Sequence, residues 1–513
     1  MRLVACINYV TLHDAQMNAD FTSPRPKPPN GMRGLFAVWS SQMISGVATS
    51  AALFAQIHWI SEETGASGAA LAYWESFYFA AYLLFVLFAL FFIDRFPRKT
   101  MMLLYDFLLL SATAALLALE SVGLLKTWHI YLNAVVQGVG YAFRLPTYSS
   151  VITILVPRRE YVRANGMLSL LYDTPEIFGP LLVGLLYNTL GLIGILAINL
   201  VSFVFSIGAL LFVRIPPTPD ETMDLSLEGF FKEAIYGIKY ILKRPGLMGM
   251  QMIFFFGNVF SGIALSYTAF YTMVALRTGG NIELADSVIS AGAWAAVVAG
   301  LAISALGGIK RPVRAILLGW ILSSMFGLTL LGIGQFFIIW AIAKVIDSFF
   351  NPVVDVAANK FIQTKVHPDI QGRVFAASDF IAQVPFLFTP LLAGYFGDKV
   401  FEPMMRGNGA WINAFGWLVG TGPGAGYGLM IFLCGIGGAL VGIVGYLSPK
   451  IRDADTNMPD IVLPPPVGLV RREQTLPAKK APRERPAKKP VPKSAKRVPV
   501  ESTSPRRKTR TKK

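Results

Sequence analysis

The string PEIFGPLLVG, residues 175–184, returns 210 positions later as PFLFTPLLAG, residues 385–394. Six of the ten letters are identical, and Arg163 and Arg373 each stand twelve residues before the leading proline of their copy. Self-similarity at a fixed spacing indicates a structural unit that is used twice along the chain. The repeated string itself is almost wholly apolar, which raises the question of what surrounds it.

The composition indicates a membrane protein. The residues AVILMFWYC make up 54% of the 513, and 47 glycines add to this apolar share. A helix that crosses the hydrocarbon layer needs about 20 apolar residues, and backbone amides in lipid have no water to bond, so such runs form helices. The sequence therefore predicts an all-α membrane protein with twelve transmembrane helices. They fall at about 35–60, 69–93, 100–119, 130–156, 164–190, 192–213, 247–275, 289–309, 314–333, 336–357, 374–397 and 426–449.

Lysine and arginine gather in four loops, at 94–99, 157–163, 309–314 and 359–373. Each of these loops follows an even-numbered predicted span. Short basic loops stay on the cytoplasmic side of a membrane. We therefore expect a multi-pass protein of the plasma membrane, the inner membrane in a bacterium, with both termini in the cytoplasm.

The chain divides into five predicted parts. Residues 1–33 form a flexible cytoplasmic leader, and 34–213 form a first six-helix bundle. Residues 214–246 form a cytoplasmic linker in which apolar residues recur at helical spacing, typical of an amphipathic helix on a membrane surface. Residues 247–450 form a second six-helix bundle, and 451–513 form a disordered basic tail. Duplicated bundles around a central cavity are typical of transporters.

The tail carries most of the net charge. Residues 450–513 hold nineteen lysines and arginines against six acids, a net +13 of the chain's +16. Its proline, alanine and lysine content cannot build a core. Contact with anionic lipids is one predicted role, and a solvated tail is the open alternative. A charge run without interleaved aromatic residues does not indicate specific nucleic-acid binding.

Two motifs resemble the major facilitator superfamily over roughly residues 34–450. The loop DRFPRK resembles the loop after the family's second span, with Asp94, Arg95, Arg98 and Lys99 in its charged places; this resemblance implies a cytoplasmic gate loop. GPLLVG is similar to the glycine-proline motif in span five of the family's antiporters.

That second motif rests on Gly179, Pro180 and Gly184, where small residues allow close helix packing and a proline breaks one backbone hydrogen bond. The strings QGRVFAASDFIAQ (371–383), DKVFEPMM (398–405) and GTGPGAGYGLM (420–430) resemble a bacterial subfamily of macrolide and siderophore exporters. The resemblance implies efflux of a drug-like or siderophore-like amphipathic molecule by alternating access.

Ionisable residues inside the membrane are candidates for coupling to protons. Arg144 and Glu176 lie sixteen positions before and after residue 160, the centre of the predicted hairpin of spans four and five. They should therefore reach a similar depth, with Asp173 about one turn away. We predict a pair that lines the cavity and exchanges a proton as the cavity opens. A static ion pair that fixes helix packing is the open alternative.

Other intramembrane charges carry weaker predictions. Glu75, beside several aromatic residues, is a candidate cavity residue, and an interfacial aromatic belt is the alternative explanation. Asp347 is a second-half candidate, although Lys344, three residues earlier, can pair with it on one helix face. Asp379 is expected to be a charge near a helix N-terminus.

Other classes of protein are disfavoured. Cys6 and Cys434 are the only cysteines, and the four histidines are scattered, so neither a disulfide framework nor a metal site is indicated. No nucleophile, paired-acid or nucleotide-binding motif occurs, so we predict no catalytic residues, no cofactor and no enzymatic activity. A nutrient facilitator or importer, and a non-transporting membrane assembly factor, remain the alternatives to efflux.

Overall fold

The structure is a computed structural model, and it describes residues 31–155, 161–215, 227–305, 309–406 and 410–458. All regular structure in these residues is helical. Residues Met1–Ile461 form one compact unit and Val462–Lys513 a second. The second unit and residues 1–30, which contain most of the predicted leader and tail, lie outside the described residues.

Six helices precede the second half of the chain. We refer to residues 31–215 as the first half and residues 245–458 as the second half. Backbone at Gly191 is non-helical, with a φ of 61°, so the fifth helix is two helices joined end to end. The predicted linker helix is present as the sixth. These helices are α1 (Gly31–Thr64), α2 (Gly68–Arg95), α3 (Arg98–Ser121), α4 (Thr127–Leu155), α5 (Tyr161–Phe212) and α6 (Leu227–Leu242).

The second half is more broken. Its helices are α7 (Pro245–Leu265), α8 (Tyr267–Thr278), α9 (Glu283–Ala305), α10 (Pro312–Leu322), α11 (Thr329–Ile333), α12 (Phe337–Lys365), α13 (Pro368–Gln383), α14 (Pro385–Phe396), α15 (Glu402–Met404), α16 (Ala410–Val419), α17 (Ala425–Leu447), α18 (Pro449–Arg452) and α19 (Ala454–Asn457). Short π-helical segments, Ser323–Leu328 and Gly397–Phe401, connect α10 to α11 and α14 to α15.

Ten segments within the described ranges are long and apolar enough to cross a membrane. Helix α4 is not among them, and one of the ten, Thr174–Phe212, contains both sides of the Gly191 break. The predicted all-helical membrane class is confirmed, and the count of twelve spans stays a prediction. Ordered helix continues to Asn457, so the first residues assigned to the tail belong to the folded unit.

The repeated string makes an equivalent contact in each half, between a glycine and a hydroxyl side chain. The string supplies the glycine in the first half and the hydroxyl in the second. In the first half, Gly179 packs against Ser50 of α1, so closely that a β-carbon on Gly179 would collide with the serine side chain. In the second half, Thr389 occupies the repeat position of Gly179, and Gly262 of α7 lies opposite it. A β-carbon on Gly262 would lie 2.6 Å from Thr389 Oγ1. Each contact holds one glycine and one hydroxyl side chain.

The last glycine of each copy faces the other half of the chain. Gly184 points toward Asp286 of α9, and Gly394 packs against the backbone of α2 at Gly68 and the side chain of Ala72. The repeat therefore lies at two corresponding contacts between the halves, α5 with α9 and α14 with α2.

The apolar core is joined at one end of the molecule and divided at the other. One cluster contains residues of both halves, including Ile57, Leu71 and Val183 with Tyr271 and Val288. We call the end of the molecule that contains this shared cluster the closed end. The other large clusters each draw on a single half: one contains Leu35, Tyr105 and Phe203, and the other contains Leu247, Leu317 and Phe361. We call the end that contains these two clusters the basic end, because Lys99 and Arg314 lie beside them.

Candidate functional site

A cavity of about 400 Å³ lies between the halves, lined by the middle turns of the first half's helices and by residues at helix ends in the second half. Residues of α1, α2, α4 and α5 contribute most of its wall, and Tyr267, Asp379 and Gln383 contribute the second half's share. The wall combines aromatic rings with a few charged groups. Its aromatic residues are Phe54, Trp74, Tyr78, Phe79, Tyr82, Tyr141 and Tyr267.

Four ionisable residues with acidic or basic side chains line this cavity among the described residues: Glu75, Glu176, Asp379 and Arg144. Three carboxylates against one guanidinium make the wall acidic. A low-polarity site between helices strengthens the attraction of these carboxylates for a cation. The cavity volume lies in the range of small-molecule pockets, roughly 300–1,000 Å³.

Arg144 and Glu176 both line the cavity. Arg144 Nη2 donates a hydrogen bond of 2.5 Å to the backbone oxygen of Gln42 in α1. Glu176 is exposed within the cavity one turn before Pro180. The Arg144–Glu176 pair itself stays a prediction. The side chain of Asp173 lies outside the described residues.

Glu75 is buried, with 5% of its surface exposed. Its Oε2 accepts hydrogen bonds of 3.3 Å from both the backbone nitrogen and the hydroxyl of Thr268. Trp74, one residue earlier, meets the Tyr267 ring edge-on at 6.1 Å between ring centroids. Glu75 therefore belongs to a packed contact between the halves as well as to the cavity wall, which an interfacial aromatic belt does not explain.

The acidic residues of the second half are placed differently from what the sequence indicates. Asp379 lies three turns into α13, so it is not an N-terminal charge of that helix, and it lines the cavity. Asp347 is absent from the cavity wall. It is 3% exposed and bonds to Lys344 Nζ at 2.9 Å and to Ser323 Oγ at 2.7 Å. The pairing of Asp347 within α12 is therefore present.

The predicted gate loop joins α2 to α3. Asp94 and Arg95 have side chains outside the described residues, and Arg98 is buried at the start of α3. Lys99 Nζ donates to the backbone oxygens of Leu211 and Val213, at 3.0 and 2.9 Å. A lysine on the last carbonyls of a helix satisfies groups that have no partner within that helix.

Arg314, near the start of α10 in the second half, has a comparable role. Arg314 Nη2 donates to Asp453 Oδ1 at 2.9 Å, just beyond the last long helix. Hydrogen bonds from Arg452 and Arg314 lower the pKa of Asp453 to about 2, so this carboxylate stays ionised at physiological pH. In each half, a basic residue near the start of a long helix therefore bonds to the chain near the end of another: Lys99 of α3 to the end of α5, and Arg314 of α10 to Asp453, which follows α17 and α18.

Two buried polar groups were not predicted. Asp106 Oδ2 accepts hydrogen bonds of 2.8 Å from Gln42 Nε2 and from Ser206 Oγ, inside the first half. Gln42 and Ser206 lie 64 and 100 residues from Asp106 in sequence, so no local spacing indicates that the three residues meet.

At the closed end, Asp286 of α9 lies 2.7 Å from Nε2 of His58 in α1 and accepts a 2.5 Å bond from the Tyr271 hydroxyl. Both His58 and Asp286 are almost fully buried. This cluster joins the two halves. The sequence places an ionisable residue in each of two apolar runs, but it does not indicate that they meet.

A larger depression of about 990 Å³ opens at the closed end, with walls formed by residues 61–66, 275–282, 405–406 and 412–423. Its lining comes from helix ends and loops rather than from the middle of the spans. A transport site must be accessible in turn from each end of the protein, and this depression lies at one end only. We therefore place the candidate site in the smaller cavity.

Comparisons with known proteins were made for both sequence and structure. Residues 38–390 match the family model described as Major Facilitator Superfamily. Macrolide efflux protein A of Streptococcus pyogenes is 22% identical over 369 residues, which cover 71% of this chain and 89% of that protein. Macrolide efflux protein A of Enterococcus faecalis is 23% identical over 293 residues, covering 56% of this chain and 89% of that protein.

Similar solved structures include the nucleoside transporter NupG, at 13% identity and a TM-score of 0.57, covering 80% of this chain and 98% of that one. A bacterial homologue of the human lysosomal transporter Spinster has 14% identity and a TM-score of 0.57, covering 84% and 98%. An auto-inhibited POT family peptide transporter has 11% identity and a TM-score of 0.60, covering 84% and 99%. At these identities the likeness concerns the fold.

Proposed function

The chain belongs to the Major Facilitator Superfamily of transporters, and from that premise we propose that it exports an amphipathic small molecule by alternating access. The observation that carries the proposal is the mid-span cavity, which lies between halves that share one apolar core at one end and have separate apolar cores at the other. The distant similarity to macrolide efflux proteins supports the outward direction.

The membrane arrangement that we propose has twelve spans. Helix α4 and the division of α5 at Gly191 supply the two crossings beyond the ten segments. The basic end faces the cytoplasm, because lysine and arginine gather there. In this arrangement we propose that the cavity takes up substrate from the cytoplasm, because the apolar cores of the two halves are separate at that end. The tail after residue 458 is proposed to contact anionic lipids of the same leaflet.

The cavity wall favours a substrate that is both apolar and cationic. Aromatic rings attract a cation over their faces and also pack against apolar groups. Three carboxylates, Glu75, Glu176 and Asp379, offer counter-charge, whereas Arg144 alone opposes it. A drug-like amine has both properties.

Glu176 and Asp173 are the residues that we propose for proton coupling. A carboxylate in a cavity is pushed toward its neutral form by desolvation and toward its charged form by a neighbouring cation or by water. Opening the cavity to one side therefore changes its proton affinity, and Arg144 across the cavity is the proposed cation. No nucleotide-binding motif is present in the sequence, so an ion gradient is the proposed energy source.

Transport into inverted membrane vesicles with an imposed pH gradient tests the proposal, using a panel of lipophilic cations and macrolides. We expect accumulation that requires an acidic lumen and that disappears when the gradient is collapsed. Glu176→Gln and Asp173→Asn should each abolish substrate-dependent proton flux, whereas Glu120→Gln, the same change outside the cavity, should preserve it.

Three outcomes would contradict parts of this proposal. Unaltered coupling in both Glu176→Gln and Asp173→Asn would remove these two residues from the mechanism. Uptake by intact cells, driven by the same gradient, would favour the nutrient importer. Absence of transport across the whole panel, together with an unchanged efflux phenotype in a deletion strain, would favour a non-transporting role.

A further inference from the structure

The span made of α7 and α8 is interrupted inside the membrane. Ser266 separates the two helices in an extended conformation, with φ −54° and ψ 142°. Such a break leaves the first amides of α8 without helical partners, and in hydrocarbon each must be satisfied by another group. The Ser266 hydroxyl accepts a 3.0 Å bond from the amide of Ala269. The Thr268 amide requires a different acceptor.

Glu75 supplies that acceptor from the other half of the molecule. Its Oε2 lies 3.3 Å from both Thr268 N and Thr268 Oγ1. A carboxylate at a helix N-terminus is also attracted by the helix dipole. Both distances are longer than a typical charge-assisted hydrogen bond, about 2.7–2.9 Å. The carboxylate is thus held by its contact with α8 and is still available to a stronger partner.

Glu75 is at the same time part of the cavity wall. A cationic group that enters the cavity meets Glu75 in a water-poor site, where a direct ion pair is much stronger than in water. The cation and the α8 N-terminus therefore compete for one carboxylate.

Helix α8 connects this contact to the closed end. One turn after Tyr267, Tyr271 donates its hydroxyl to Asp286, and Asp286 is bonded to His58 of the first half. When Glu75 leaves the N-terminus of α8, one contact between the halves is lost. The same helix carries Tyr271, so its bond to Asp286 is weakened as well.

We propose, building on the proposed function, that Glu75 links occupancy of the cavity to opening of the closed end. A cationic substrate takes Glu75 as its counter-ion, the N-terminus of α8 is released, and the packing of α8 against the first half weakens. The empty transporter keeps its closed end shut because Glu75 holds α8.

The test measures opening directly. Ser290 of α9 is 5% exposed and donates to the backbone oxygen of Ile177 across the boundary between the halves. In a background with Cys6→Ser and Cys434→Ser, a Ser290→Cys reporter reacts with a maleimide only when this boundary opens. The probes are tetraphenylphosphonium and tetraphenylborate, which have the same shape and opposite charge.

We expect tetraphenylphosphonium to accelerate labelling of the full-length protein in detergent several-fold, and tetraphenylborate to leave the rate unchanged. Glu75→Gln, which keeps a hydrogen-bond acceptor for Thr268 but removes the charge, should abolish the acceleration. Glu120→Gln should preserve it. Thr268→Val, which removes one of the two donors to Glu75, should raise the labelling rate without any ligand and retain a response to tetraphenylphosphonium.

Equal acceleration in the Glu75→Gln and unsubstituted proteins would overturn the inference, as would the absence of acceleration in the unsubstituted protein. Failure of the proposed function has a different signature. Acceleration that depends on Glu75, in a protein that moves no substrate along a proton gradient, would support the link and refute proton-driven export.

Discussion

Asp106 is a buried carboxylate whose effect on stability can be isolated. It is 1% exposed, and its Oδ2 accepts from Gln42 and Ser206. Asp106→Ala would leave the Ser206 hydroxyl buried without that acceptor, whereas Gln42 Nε2 would keep its 2.8 Å bond to Ser206 Oγ. A buried donor without a partner costs about 1–3 kcal/mol, so we expect a clearly lower midpoint of thermal unfolding in detergent.

Two further variants control this prediction. Asp106→Asn keeps the shape and one acceptor oxygen, so its loss should be smaller than that of alanine. Ser111→Ala removes an exposed hydroxyl on the same helix, which bonds only to the helix backbone at Phe107. It should change the unfolding free energy by no more than about 0.5 kcal/mol. Equal midpoints for Asp106→Ala and Ser111→Ala would contradict the assignment.

The sequence predicts individual residues well where local spacing decides their depth. Counting from the hairpin centre brings Arg144 and Glu176 to the cavity, because two helices joined by a short turn rise together. Asp379 was misassigned because α13 begins earlier than hydropathy suggests. The partners of Asp106 and Asp286 come from distant spans, and a single sequence contains no signal that pairs them.

The glycine–hydroxyl contacts that α1 makes with α5 and α7 makes with α14 lead to a specific prediction about helix packing. Gly262→Ser introduces a side chain against Thr389 in a site where a β-carbon would already lie 2.6 Å from Thr389 Oγ1. Overpacking of this kind costs about 1–3 kcal/mol. We expect a lower thermal midpoint, measured in detergent.

The first half indicates how to repair this contact. The double variant Gly262→Ser with Thr389→Gly reproduces the pair that Ser50 and Gly179 form, so it should recover most of the lost stability. Gly208→Ser provides the control, because nothing lies within 4 Å of a β-carbon built there. A double variant less stable than Gly262→Ser alone would show that the two contacts are not equivalent.

Long helices were predictable because hydropathy averages over a whole span. Interruptions of the helices within a span could not be predicted in this way. The break at Ser266, the π-helical segments and the short helix Ala410–Val419 all lie within or beside apolar sequence, where a hydropathy profile is uniform. The break at Ser266 persists because Glu75 of the other half satisfies Thr268, and such a partner is known only from the fold.

In the proposed alternating-access cycle of the whole transporter, one end of the cavity opens as the other closes. The closed end has a shared apolar core, the His58–Asp286 contact and the bond from Asn188 to Glu283. The basic end has a separate core in each half. Alternating access therefore requires the closed-end contacts to break in every transport cycle.

A cross-link between the halves at the closed end should therefore arrest transport. Asn188 of α5 donates to Glu283 of α9, so Asn188→Cys with Glu283→Cys, in the background lacking Cys6 and Cys434, places two thiols within reach of a short bifunctional methanethiosulfonate. We expect the reagent to abolish transport into vesicles and dithiothreitol to restore it.

Tyr187 and Glu62 provide a matched pair at the same end, bonded at 3.0 Å but both within the first half. Their cysteine variants should cross-link without arrest, because the halves still move as rigid units. Continued transport by the cross-linked Asn188–Glu283 pair would mean that the closed end does not open during the cycle.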